Sequence, residues 1–263
     1  MPADRAKVIW VTGASSGLGR SLALKLADSG ATVIATARNQ QALQELAAGQ
    51  PNIRPLRCDI TDPADCENLP ARLSEIAPRI DQAILNAGTC EYLDFPDPDW
   101  EAVRRVMEVN FFGTVNCVRI ALPLLRRSPD RRAQLVVVAS QVTSAPFPRA
   151  EAYGASKAAL QYFCESLRMD LASERIDVSV VNPGFVDTPL TRRNDFAMPF
   201  LMSSERAAEL IIKRLGARPR SYAFPFRLSL LLGLSKLFPG LWQKLVAPAE
   251  QYPRANTGQG VDS

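Results

Sequence analysis

Tyr153 precedes Lys157 by one helical turn in Glu151-Ala152-Tyr153-Gly154-Ala155-Ser156-Lys157-Ala158-Ala159-Leu160. The stretch is alanine-rich, and Leu160, Phe163 and Leu167 recur at helical spacing. Residues four apart share one helix face, so a phenol and an ammonium could meet at one site. The chain contains 0 histidines and so lacks the side chain that usually exchanges protons near neutral pH. Tyr153 is the candidate substitute. An isolated Tyr-x-x-x-Lys is more often a solvated helix face, and the decision falls to the elements that would position it.

Those elements alternate. Strand-like runs at Lys7–Thr12, Thr32–Thr36, Ile53–Cys58, Gln82–Leu85, Gln134–Ala139 and Asp177–Val181 are interleaved with helical patterns. The helices are expected over Gly17–Ser29, Asn39–Ala48, Asp65–Ile76, Trp100–Leu125 and Glu151–Ser173. Such β-α-β-α order implies an α/β fold, a doubly wound parallel sheet flanked by helices in a single domain. Ligands of such sheets bind beyond the carboxyl ends of the strands, so chemical motifs should fall just after strands.

After the first strand comes Thr12-Gly13-Ala14-Ser15-Ser16-Gly17-Leu18-Gly19. Glycines permit a tight turn and close backbone approach, and the following helix offers free N–H groups to a phosphate. A plain strand-to-helix connection would need glycine too. The G-x-x-x-G-x-G spacing closely resembles the cofactor motif of the short-chain dehydrogenase/reductase family, with its Rossmann-type sheet. The resemblance extends to Asn110, Ser140, Tyr153 and Lys157, and to Pro183-Gly184 with Thr188, in the family's order. It covers about residues 5–190, and the combined pattern is far more specific than any one piece.

The resemblance implies hydride exchange between a nicotinamide cofactor and an alcohol or carbonyl. Tyr153 would pass the proton, its pKa lowered by Lys157. Lys157 would also hold the nicotinamide ribose, and Ser140 would orient the carbonyl oxygen. Asn110, in a locally distorted helix, would hold a water relaying protons to Lys157. Gly13, Ser15, Ser16, Gly17, Leu18 and Gly19 would take the phosphates. The Asp59 side chain and Ile60 backbone would contact adenine, although Asp59 reads equally as a turn or cap residue. Asn86-Ala87-Gly88 would flank the cofactor, with Pro183, Gly184, Val186 and Thr188 beside the nicotinamide. The second strand ends in Ala37-Arg38-Asn39 with no acid. An acid there would hold a ribose 2′-hydroxyl, whereas a guanidinium suits a 2′-phosphate. NADP(H) is therefore expected over NAD(H), the bland alternative being a solvated arginine opening a helix. Two departures from the family pattern are Leu18 for isoleucine and the stretch Gln141-Val142-Thr143-Ser144, where the family often has a glycine; the glycine position borders substrate in the family and bears on specificity.

The division expected is 1–190 for cofactor and catalysis, 191–249 for a substrate lid and apolar extension of the same domain, and 250–263 for a disordered tail. The lid, with Phe185, Phe196, Met198, Phe200, Leu201 and Met202, points to a hydrophobic substrate or to packing. Residues 222–245 are leucine-rich; Pro225 and Pro239 confine any helix to about Phe226–Phe238, which suits core packing, a partner subunit or a membrane surface.

Composition narrows the classes. Of 263 residues, 47% are hydrophobic and 22% charged, which is ordinary for a soluble domain. The net charge of +4 forms no basic stripe, so nucleic acid is not expected as a partner. Five cysteines without CxxC spacing, and no histidine, speak against zinc and for free thiols in a reducing compartment. A cytoplasmic homodimer or homotetramer is expected, with peripheral membrane contact open through residues 222–245. The rival readings are a membrane-surface 3-keto lipid reductase of the same fold, a non-catalytic NADP(H) sensor, and a nucleotide-sugar epimerase or dehydratase, for which too little chain follows residue 190.

Overall fold

The computed structural model describes residues 6–128 and 132–246. The tail expected over 250–263 lies outside the described residues. Seven parallel strands form one sheet in the order β3-β2-β1-β4-β5-β6-β9. They are β1 (Val8–Thr12), β2 (Thr32–Ala37), β3 (Ile53–Arg57), β4 (Gln82–Leu85), β5 (Ala133–Val138), β6 (Ile176–Pro183) and β9 (Ser221–Phe224). The chain winds outward from β1 in one direction, then returns through β4 to build the other half. This leaves a crevice at the carboxyl ends of β1 and β4. A separate parallel pair, β7 (Val186–Asp187) with β8 (Met202–Ser203), follows β6.

The central strands are apolar on both faces because both faces are covered. Trp10, Ile34, Leu85, Leu135 and Val137 point to one layer, shared with α3 (Pro63–Ile76), α5 (Gly113–Arg126) and α6 (Glu151–Asp170). Ile9, Val11, Val33, Ile84 and Val136 point to the other, shared with α1 (Gly17–Asp28), α2 (Gln40–Ala48) and α7 (Ser204–Leu215). The indole N–H that Trp10 carries into the core is paired, Nε1 donating to Thr36 Oγ1 at 2.9 Å.

Two differences from the sequence reading matter for the site. The single helix expected over Trp100–Leu125 is α4 (Glu101–Met107) and α5 joined by a π-helical turn, Glu108–Phe112, which contains Asn110. The distortion expected at Asn110 is thus a specific widening of the helix, of the kind that accumulates at functional sites. The second difference is β9. Tyr222 to Phe224, which precede the helix expected from Phe226 and carry no expected element, add a seventh strand beside β6, where Val181 pairs with Tyr222 and Pro183 with Phe224. Pro225 then ends the strand and starts α8 (Phe226–Leu237), and Pro239 starts α9 (Pro239–Val246).

The five cysteines are all free thiols. Burial lifts Cys58 from an ordinary 9.0 to about 12, and it lifts Cys164 likewise to about 12. The native state therefore retains protons that the unfolded chain loses near 9.0. Stability from these thiols is fully present below that pH and is lost as pH rises toward 12. Lys157, lowered by burial to about 8, acts in the opposite sense as a single group. Urea titrations should show a midpoint that declines steadily above pH 9.0, and Cys164→Ala should make the decline shallower.

Candidate active site

One cavity of about 680 Å³ opens at the carboxyl ends of the strands. Every residue singled out from sequence for the cofactor and the proton lines it, except Gly19 and Asn110. Those two sit directly behind the wall and shape it.

At the phosphate end, Gly13 and Gly17 adopt positive φ values of 67° and 50°, which glycine does at little steric cost. A Cβ on Gly19 would stand 2.2 Å from the Gly13 carbonyl oxygen and 2.6 Å from Asn86 Nδ2, so only glycine lets the loop fold back this tightly. Asn86 and Ala87 are fastened to β1, their backbone N–H groups donating to Thr12 Oγ1 at 3.0 and 3.2 Å. Helix α1 begins at Gly17 with Ser16 in the cap position, but no side chain accepts from its first N–H groups and its first turn carries no acid. An uncapped, positively polarised helix end at the cavity wall suits a phosphate.

At the adenosine end, Arg38 is exposed and lines the cavity. It takes part in none of the ion pairs among the described residues. Asn39 lies beside it and caps α2, its Oδ1 accepting from Ala42 N at 3.0 Å. Asp59 is held by Thr61, whose backbone N–H and hydroxyl both donate to Oδ1 at 3.0 and 2.7 Å. Burial pushes the Asp59 pKa up, but the Thr61 donors with Arg38 and Arg57 outweigh it, and the carboxyl is held below its ordinary value. Both the turn role and the cavity-lining position read from the sequence are thus present in one residue. Ile60 turns its side chain into the core, and its backbone oxygen accepts from Asn116 Nδ2 at 3.1 Å.

At the chemical end, Ser140, Tyr153 and Lys157 converge from β5 and α6. Ser140 follows the end of β5 and caps the turn Gln141–Ser144; its Oγ accepts from Val142 N at 3.1 Å, which leaves its O–H free to donate. Lys157 is buried; its Nζ donates to Val138 O at 3.0 Å and stands over the Tyr153 ring, 5.8 Å from its centroid. Burial pushes the phenol up to about 12, with the Ser140 hydroxyl pulling the other way. Burial lowers the Lys157 ammonium to about 8. The expectation that Lys157 lowers the Tyr153 pKa is therefore not met by these side chains alone. The ammonium stands 5.8 Å from the ring centroid, and desolvation of the phenol dominates. At neutral pH the arrangement presents a protonated acid beside a charged lysine.

Asn110 has a structural use besides the role expected of it. Its side chain is fully buried and used as a brace: Nδ2 donates to Thr89 O and Ser156 Oγ, both at 2.9 Å, and Oδ1 accepts from Thr89 N at 2.8 Å. What remains for a water is the second lone pair of Oδ1. Gly88 keeps that approach open, since a Cβ there would stand 3.1 Å from Asn110 Oδ1 and 3.4 Å from Lys157 Nζ.

At the nicotinamide end, Gly184 packs against Leu228, and a Cβ there would fall 2.6 Å from Leu228 Cδ2. Thr188 abuts the glycine loop, its Cγ2 2.9 Å from where a Gly17 Cβ would be. Its hydroxyl is engaged with Thr191, which also donates to Val186 O at 2.6 Å. In the stretch that follows Ser140, Gln141 turns inward: Nε2 donates to Phe224 O at 2.7 Å and Oε1 accepts from Ser229 at 3.1 Å. It ties the turn after Ser140 to β9 and α8.

Sequence reasoning missed other wall residues, among them Thr36, Cys58, Val109, Thr191 and Arg193. The strand-end rule would have found Thr36 and Cys58. Arg193 carries no signal, because it lies in an irregular segment. Of the six expected lid residues, none lines this cavity. Phe185 and Phe196 instead meet edge to face at 6.2 Å, and Phe196 meets Tyr92 at 5.7 Å. Tyr92 O–H donates to Asn194 Oδ1 at 2.8 Å, and Arg149 pairs with Asp94 and Asp195. The segment after Thr191 is therefore latched to the loop following β4.

Residues 7–197 match the family model described as short chain dehydrogenase. The chain belongs to the short-chain dehydrogenase family. It is accordingly a member of an oxidoreductase family. It is 37% identical over 235 residues to an uncharacterized oxidoreductase of Myxococcus xanthus, covering 87% of this chain and 91% of that one. It is 36% identical over 192 residues to 11-beta-hydroxysteroid dehydrogenase A of Sesamum indicum, covering 71% of this chain but 54% of the sesame protein. Among solved structures, a short-chain dehydrogenase of Burkholderia cenocepacia in complex with NADP superposes with a TM-score of 0.79 at 30% identity, covering 93% of this chain and 99% of that chain. The NADP complex of Pseudomonas aeruginosa RhlG gives 0.67 at 30% identity over 71% of this chain and 75% of that chain.

Proposed function

We propose that this protein interconverts a hydrophobic ketone or aldehyde with its alcohol, using NADP(H). The observation that carries the reading is the convergence of Ser140, Tyr153 and Lys157 on the cavity that also holds the uncapped end of α1. NADPH, when bound, supplies the hydride. Ser140 donates to the carbonyl oxygen and fixes its direction, and Tyr153, protonated below about 12, gives that oxygen its proton. Lys157 holds ribose hydroxyls and keeps positive charge near the phenol. Its charge is lost as pH rises through about 8, so reduction should decline there. A water between Asn110 Oδ1 and Lys157 Nζ returns the proton from solvent.

Residues 1–190 are assigned to cofactor and chemistry, and 191–249 to the lid and C-terminal extension of the same domain. Arg38, unpaired at the end of β2 among the described residues, favours the 2′-phosphate, and the NADP complexes of two relatives accord with it. The Phe185–Phe196–Tyr92 cluster beside Gly184 favours an apolar substrate. We place the protein in the cytoplasm as a homo-oligomer; no described helix is long and apolar enough to cross a membrane.

The test is NADPH fluorescence, titrated first for binding and then followed as hydrophobic ketones are added. Binding with consumption supports the proposal; binding without consumption by any ketone supports a sensor. Gly88→Ala probes the water route. Its methyl group would crowd Asn110 Oδ1 at 3.1 Å, and kcat should fall by on the order of 10²-fold at saturating NADPH. Unchanged kcat would remove the water from the scheme.

A further inference from the structure

We propose that α8 and α9 form a docking surface for an anionic lipid bilayer. The inner faces of both helices are occupied. Leu228, Leu232 and Trp242 pack with Ala145 and Phe147, and Trp242 Nε1 donates to Pro146 O at 2.8 Å. The outer faces should then be polar, as on most solvated helices. They are not. Phe226, Leu230, Leu234 and Leu237 recur every turn on the side of α8 opposite Leu228 and Leu232, and Leu241 and Leu245 continue the surface on α9. Phe226 is 76% exposed, Leu237 70% and Leu245 71%. A contiguous exposed apolar surface of this kind marks an interaction site.

Charge identifies the occupant. Between Glu209 and Glu250 the sequence contains no Asp or Glu, while Arg227, Lys236 and Lys244 lie on the two helices themselves. All three are exposed. Leucine and phenylalanine flanked by cations, on a helix of 12 residues followed by one of 8, suit a segment lying in the plane of an interface. A second copy of the chain fits less well. A two-fold interface sets the same patch against itself, and these cations would meet each other with no carboxylate of the patch to pair with. Anionic headgroups supply the missing charge.

The surface is joined to the site. Leu228 packs on Gly184, and Gln141 bonds both Phe224 O and Ser229. A bilayer seated on α8 would therefore lie one helix away from the turn that follows Ser140. The docking surface stands whatever the substrate proves to be.

The experiment is sedimentation of the full chain with vesicles of phosphatidylcholine alone and of phosphatidylcholine mixed with phosphatidylglycerol. The mixed vesicles should carry the protein down. Leu234→Ser with Leu237→Ser, both outward, should reduce partitioning about tenfold per leucine with the melting temperature preserved. Gln at Arg227, Lys236 and Lys244 should reduce it about fivefold per charge on the mixed vesicles only. No sedimentation with either vesicle overturns the proposal. So does a serine variant that leaves sedimentation unchanged, or one whose only effect is a lower molar mass by light scattering, which would make the surface an interface between copies.

Discussion

Replacing Tyr153 by Phe should lower turnover by on the order of 10²–10⁴-fold, the usual contribution of a positioned acid, while leaving NADPH affinity nearly intact. The substitution removes one oxygen from a half-buried ring and keeps the ring's packing over Lys157. Fold and cofactor site should therefore survive. In the proposed reaction the phenol protonates the carbonyl oxygen to which Ser140 also donates. Burial holds its pKa up at about 12, so it is protonated throughout the neutral range and ready to act as an acid. The complementary Ser140→Ala removes a donor to the same oxygen and should cost about 10²–10³-fold. Steady-state kinetics with NADPH and a turned-over ketone, beside a fluorescence titration, measures both halves. If Tyr153→Phe kept wild-type turnover, the proton would come from elsewhere and the assignment of Tyr153 would fail.

Arg38→Asp should weaken NADPH binding by about 10- to 100-fold, with NADH affinity unchanged or improved. A charge-assisted contact to phosphate is worth about 1.5–3 kcal/mol, and the new carboxylate would add repulsion. The size of the effect follows from what surrounds Arg38: it is exposed, it lies at the end of β2, and it makes no ion pair among the described residues that would hold it away from the cavity. Its field already reaches Asp59, whose carboxyl it helps to keep ionised. Parallel titrations of both cofactors with both proteins measure the change. Equal losses for NADPH and NADH would mean that the loop had been disturbed rather than a phosphate contact removed.

The parts of this architecture that were legible in the sequence share a physical reason. The turn from Thr12 to Gly19 has to be glycine-rich because Gly19 has no room for a Cβ, and that requirement is visible in the residues themselves. Strand ends were readable from apolar runs, and with them the positions of Ser140, Asn86 and Pro183. Tyr153 and Lys157 were readable because a helix of known period fixes which side chains share a face.

Properties that depend on neighbours distant in the chain were not readable. β9 was hidden because Ser221–Phe224 is short and followed by proline, so nothing local shows that β6 lacks a partner on that side. Nothing near Gln141 shows that it bonds Phe224 and Ser229, which lie more than 80 residues away in sequence. The Asn110 amide was expected to serve a water, but Thr89 and Ser156, brought in from two other segments, claim most of it. The Tyr153 pKa went the other way from expectation because its sign is set by burial, which residue spacing does not encode.

The most direct test of the central claim is transfer of deuterium from NADPH labelled at nicotinamide C4 to a set of hydrophobic ketones, read by mass spectrometry of the alcohols. The account predicts deuterium at the former carbonyl carbon with the wild-type protein and at least a hundredfold less with Tyr153→Phe, about the lower bound for a lost general acid. Saturating NADPH binding with no deuterium in any alcohol would contradict it and make the protein a cofactor-binding sensor.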